Sequence, residues 1–201
     1  ALPRCPTLHT LELDLFPYSE SARLYHLQPL PQLRSLTLHA STNSTAAFLA
    51  AAANLTHVRI LHHVFPGLES VVMPQHVETI DLLSGEDSTT VSLHHFARFP
   101  KLRVLCVSHL DLPPSAEQRV SLPLLQQLSA ESVADPGVGQ AWRSSWLSVD
   151  APNLRVLNIG TASASLQHLA HFTQLTSLRA ARIELSTGPE QKLSLLHMEK
   201  M

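Results

Sequence analysis

The chain has 201 residues, 44% of them hydrophobic and 15% charged, a composition able to bury a core. Its formal net charge of −2 supplies no cationic field for phosphate backbones or anionic lipid, so neither a nucleic-acid nor a membrane partner is expected. The longest apolar run, Ala46 to Ala53, is far short of the roughly 20 residues needed to span a bilayer, and the opening ALPRCPT lacks the apolar centre of a signal peptide.

Taken in order, the chain repeats one spacing. Leu8, Leu11 and Leu13 are followed by Leu33, Leu36 and Leu38, by Leu55, Val58 and Ile60, and by Val77, Ile80 and Leu82. Then come Leu102, Leu105 and Val107; Leu125, Leu128 and Ala130; Leu154, Leu157 and Ile159; Leu175, Leu178 and Ala180; and an early ninth set at Leu193, Leu196 and Met198. The first eight sets begin at residues 8, 33, 55, 77, 102, 125, 154 and 175, so they recur at intervals of 25, 22, 22, 25, 23, 29 and 21. The last two members of each set are two residues apart, which places both on one face of a short strand. Upstream, apolar residues fall three and six positions before the first member, as Phe99 and Phe96 do before Leu102, a spacing that suits a short helix or 3-10 turn. Ser44 to Asn54 reads as the most helical segment.

One strand and one turn cannot bury their own apolar faces, whereas stacked copies can, each fully buried leucine contributing roughly 1.5–3 kcal/mol. On these eight sets, from Leu2 to at least Ile183, the chain resembles a leucine-rich repeat solenoid. The resemblance implies an α/β fold: an open, curved stack of about eight or nine irregular repeats. Short parallel strands would line the concave face, with short helices, 3-10 turns and loops on the convex one. Three residues past the last strand position the family usually carries Asn or Cys. Here the site reads Phe16, Ser41, His63, Gly85, Leu110, Val133, Ala162 and Ile183. With six glycines in all, the plant-receptor pattern is missing too, and the irregular repeats are most similar to those that follow an F-box.

We read residues 1–201 as a single repeat domain, a segment of a longer chain, with its longest insertion at 134–150. Loops at Ser84 to Thr90, Asp111 to Gln118, Ala134 to Gly139 and Ser186 to Gln191 lengthen the turns without ending the repeat.

Residues beside the strand leucines should face outward. They include Glu12, Asp14, His39, His57, Arg59, Asp81, Cys106, Ser108, Asn158 and Arg179, with Arg59 expected beside Asp81 on the next strand. A mixed-charge patch of Glu12, Asp14, His39, His57, Arg59 and Asp81 is the candidate docking site. Cys106, Asn158 and Arg179 extend it. The bland alternative is a solvated ladder with an incidental ion pair worth under about 1 kcal/mol. Trp142 and Trp146 lie four apart, so they either cover the outer core or form an exposed aromatic anchor.

Thirteen histidines raise the question of a metal, but no HxxxH, HExxH or CxxC occurs, and adjacent His62-His63 and His94-His95 on a strand would point to opposite faces. No metal, cofactor or catalytic residue is assigned, and no nucleophile elbow or phosphate loop is found. Cys5 and Cys106 are separated by four repeats, on the order of 20 Å, so both are expected as free thiols, suited to a reducing compartment. Two sequons, at Asn43 and Asn54, point weakly the other way.

The expected function is therefore a non-enzymatic protein-interaction module in the cytoplasm or nucleus. The resemblance implies the substrate-recognition region of an F-box type ubiquitin ligase subunit, binding its adaptor only through an upstream segment. The alternative is the ligand-binding repeat region of an extracellular or immune receptor.

Overall fold

The computed structural model describes residues 7–15, 30–40, 49, 52–61, 73–83, 90–113, 118–134, 146–165 and 169–184. The strands are β1 Thr10–Leu15, β2 Ser35–Ala40, β3 His57–Leu61, β4 Thr79–Leu83, β5 Val91–Ser92, β6 Val104–Asp111, β7 Val120–Ser121, β8 Gln127–Ala134, β9 Val149–Asp150, β10 Val156–Ser165 and β11 Ser177–Glu184. One sheet runs β1-β2-β3-β4-β6-β8-β10-β11, and β5 pairs with the far end of β6. Every pairing is parallel, so the chain climbs strand by strand as a solenoid.

The register follows from the apolar spacing. Leu11, Leu36, Val58, Ile80, Leu105, Leu128, Leu157 and Leu178 form one row across the sheet, and Leu13, Leu38, Ile60, Leu82, Val107, Ala130, Ile159 and Ala180 form another. From β2 to β10 both rows are buried in one continuous core. A slip of one residue would turn all of them to the other face, which fixes the register.

Each strand is introduced by a tight turn whose chemistry explains the apolar residue three places upstream. The carbonyls of Leu30, Ala52, Pro74, Phe99, Leu122, Ala151 and Phe172 accept hydrogen bonds from the N–H groups of Leu33, Leu55, Val77, Leu102, Leu125, Leu154 and Leu175. Pro31, Pro100, Pro123 and Pro152 occupy the second position of four of these turns, where proline's fixed φ is favoured. Immediately after the turn, one carbonyl accepts two N–H groups from the next repeat. His9 receives Arg34 and Ser35, Arg34 receives Thr56 and His57, and the pattern continues through Thr56, Glu78, Arg103, Gln126 and Arg155 at 2.8–3.1 Å. The backbone thus knits successive repeats before the strands begin.

Among the described residues helical structure comprises 3-10 turns at Leu93–Phe96 and Trp146–Ser148, and Leu49 and Leu169 are also helical. The rest of the helix expected over Ser44–Asn54 lies outside the described residues except for Ala52, Ala53 and Asn54, which lead into the turn at Leu55. Leu93 and Phe96 are buried as the spacing in threes predicts, and His94-His95 belong to this turn rather than to a strand.

Strands β6 and β8 reach eight residues because they continue through a corner. At that corner Val107 and Ser108 are both buried, so the inward parity changes and Leu110 and Val133 face the core. Pairing resumes with His109, Leu110 and Asp111 opposite Ser132, Val133 and Ala134.

A small second sheet pairs β7 with β9. It springs from a recurring tripeptide, Val120-Ser121-Leu122 and Val149-Asp150-Ala151, with Val91-Ser92-Leu93 as a third copy on β5. The β-branched valine favours the extended backbone, and the third residue of each is buried.

Candidate functional site

The outward face of the sheet presents a middle row that runs from end to end. Glu12, Thr37, Arg59, Asp81, Cys106, Ser129, Asn158 and Arg179 occupy successive strands in direct register. Glu12, Arg59 and Arg179 are exposed, whereas Thr37, Asp81, Cys106, Ser129 and Asn158 are half-buried. Neighbouring strands about 4.8 Å apart make this a nearly continuous polar stripe. Beside it lie His57 and Gln127 on one flank and His39, Leu61 and Leu83 on the other.

The expected patch is brought together around β1 to β4. Arg59 Nε is 3.1 Å from Asp81 Oδ2, and His39 Nε2 is 3.4 Å from Glu12 Oε1. Asp14 stands opposite His39 in the register, with its side chain outside the described ones. His57 Nδ1 is 2.8 Å from the Thr56 hydroxyl, whose oxygen is also 3.2 Å from the Arg34 carbonyl, so His57 is tied to the ladder at the start of its strand.

Asp81 is the electrostatic centre. Burial pushes its carboxyl above the usual range, against a smaller downward pull from Arg59. Its side chain is 23% exposed against 52% for Arg59, and Oδ1 is buried with no hydrogen-bond partner among the described residues. Burial, then the Asp81 charge, pushes the Cys106 thiol up, opposed by a hydrogen bond with Ser129 and by Arg59. A thiol held protonated in this way is a poor nucleophile.

One expected outward position falls inside, and one open alternative is decided for the core. Ser108 is 2% exposed because the corner after Val107 turns it inward. Trp146 is 1% exposed, its ring packed edge-on against Phe172 at 6.5 Å, so it is core and not an exposed anchor. His171 stacks on the same phenylalanine and reaches the Val149 carbonyl through Nε2 at 3.1 Å. Trp142, Cys5, His62, His63, Asn43 and the set at Leu193, Leu196 and Met198 lie outside the described residues.

Composition and spacing did not reveal that two asparagines tie successive repeats together. Asn54 and Asn153 each precede a buried leucine and donate through Nδ2 to the carbonyls of Pro31 and Pro123 one repeat earlier. The sequence signal was the recurring Asn-Leu that closes the tight turn.

His109 Nδ1 and the Ser132 hydroxyl are hydrogen-bonded across β6 and β8. Among the described residues no carboxylate is hydrogen-bonded to that imidazole. No group of three or more His, Cys, Asp or Glu among the described residues is placed to hold a metal, and no helix among them is long and apolar enough to cross a membrane. Comparison with protein-family models, curated proteins and solved structures finds no match.

Proposed function

We propose that the chain is a non-catalytic, leucine-rich repeat type interaction module whose concave sheet face binds another protein. The observation that carries this reading is the middle row from Glu12 to Arg179, eight outward side chains in unbroken register on a sheet whose opposite face is core. A rigid sheet supported by an apolar core presents such a row with little ordering cost on binding. Its half-buried hydroxyl, thiol and amide groups offer donors and acceptors in place of a catalytic constellation. The irregular repeats favour the substrate-recognition region of an F-box type ubiquitin ligase subunit, and the half-buried free thiol of Cys106 suits the cytoplasm or nucleus.

Photo-crosslinking residues introduced in cells at Ser129 and Asn158, and for comparison at Leu124 and Leu147 away from the stripe, test this reading. Adducts to one protein concentrated at Ser129 and Asn158 are expected. Equal yields at all four positions would overturn it. For the ligase assignment, the natural protein is expected to co-purify from cells with a ubiquitin-ligase adaptor, and failure to recover one would count against it.

A further inference from the structure

The Arg59–Asp81 pair presents its two charges unequally. Asp81 Oδ2 meets Arg59 at Nε, and Oδ1 is buried without a hydrogen-bond partner among the described residues. An ion pair that leaves a buried acceptor unsatisfied is a weak stabilising device. Its geometric effect is to engage the guanidinium through Nε at 3.1 Å, which leaves the terminal NH2 groups as donors for a further acceptor. The charge offered to solvent is therefore the cation, on a side chain twice as exposed as its carboxylate. Thr37 is directly opposite Arg59 on β2, His57 is on the same strand and His39 lies diagonally across, so a hydroxyl and two imidazoles share this part of the face. Glu12, two strands away, is already engaged with His39.

We propose that the terminal nitrogens of Arg59 dock the side-chain carboxylate of an Asp or Glu on a protein partner, with Asp81 as the positioning residue. This rests on the interaction role proposed above and names the chemistry of the partner's anchor. A planar carboxylate accepts two parallel N–H bonds from a guanidinium, a match lysine cannot supply. A basic anchor is disfavoured because the free Asp81 oxygen is buried and the exposed Arg59 charge repels it.

The test uses the full 201-residue chain and fluorescein-labelled glutamate oligomers with blocked ends, read by anisotropy at low and physiological salt, with thermal melts of every variant. Arg59→Gln is expected to weaken binding by about tenfold, and Arg59→Lys by several-fold although it keeps the charge. Asp81→Ala, which removes both the charge and the acceptor for Nε, is the decisive variant. Removing a negative charge should tighten binding of an acidic probe if only net charge matters, whereas loss of positioning weakens it. Weaker binding with an unchanged melt supports the proposal. Tighter binding by Asp81→Ala, indifference to Arg59→Gln, preference for a lysine oligomer, or equal binding of an N-terminally blocked alanine peptide through its free C-terminus would each overturn it. If crosslinks still concentrate at Ser129 and Asn158 while the glutamate oligomer ignores Arg59, this proposal falls and the interaction role stands.

Discussion

Arg59 Nε and Asp81 Oδ2 lie 3.1 Å apart at directly opposed positions of β3 and β4, and burial outweighs the arginine in setting the Asp81 carboxyl. The pair is therefore expected to add little to stability. Arg59→Ala should cost no more than about 1 kcal/mol at neutral pH, since more than half of the arginine is exposed. Asp81→Asn should be neutral or mildly stabilising. Urea denaturation of both variants checks this, and a large loss for Asp81→Asn would show that the carboxylate holds the sheet together.

Acid dependence follows from the same shifts. Burial raises the Asp111 carboxyl as it does that of Asp81, so the folded chain holds both protons to higher pH than the unfolded one. Stability from these groups is then greatest below the ordinary carboxylate value of 3.8 and is lost as pH rises through the raised values. Asp111→Asn should raise the melting temperature at pH 7, by a small amount because the group is partly solvated, and the difference should vanish at strongly acidic pH. A benefit that grows on acidification would contradict this.

Burial is uneven along the stack. Leu105 and Leu128 are fully buried, whereas Leu11 and Leu178, the same position on the outermost described strands, are half-buried. Leu105→Ala should cost about 2–5 kcal/mol, Leu178→Ala about 1–2, and amide exchange should be faster in β1 and β11 than in β6. Trp146→Ala should cost about 3–5 kcal/mol, while Leu147→Ala, with its side chain 46% exposed, should change stability by no more than about 0.5. Uniform losses and uniform exchange would argue against an open stack.

Close approach between repeats makes Gly160 sensitive. A Cβ there would stand 2.6 Å from the Glu131 carbonyl oxygen, so Gly160→Ala requires the backbones of β8 and β10 to separate. The expected cost is about 1–3 kcal/mol. Asn153→Ala removes the 2.7 Å bond to the Pro123 carbonyl and should cost about 1 kcal/mol. Calorimetry of the two variants separates the contributions.

The main sheet was legible because a strand's two-residue period and the repeat length are both written in leucine, so the opposition of Arg59 and Asp81 follows from counting. What was not legible depends on where strands end. Ser108 was expected outward by simple alternation, but β6 continues through a corner where two consecutive residues turn inward, and nothing in Val107-Ser108-His109 announces that change. Trp146 was undecided because its surroundings, Phe172 and His171, come from the following repeat. The orphaned Asp81 oxygen depends on side-chain geometry, which spacing alone does not specify.

The central claim is that the polar stripe binds and the rows beside it hold the fold. Its most direct test is the affinity of the purified crosslinked protein for a Ser129→Lys, Asn158→Lys double variant, compared with a Leu124→Lys, Leu147→Lys variant away from the stripe. We predict a loss of at least about tenfold, or 1.4 kcal/mol, for the first with an unchanged melt, and near-native affinity for the second. Native affinity in the first variant, or an equal loss in the second, would contradict the account.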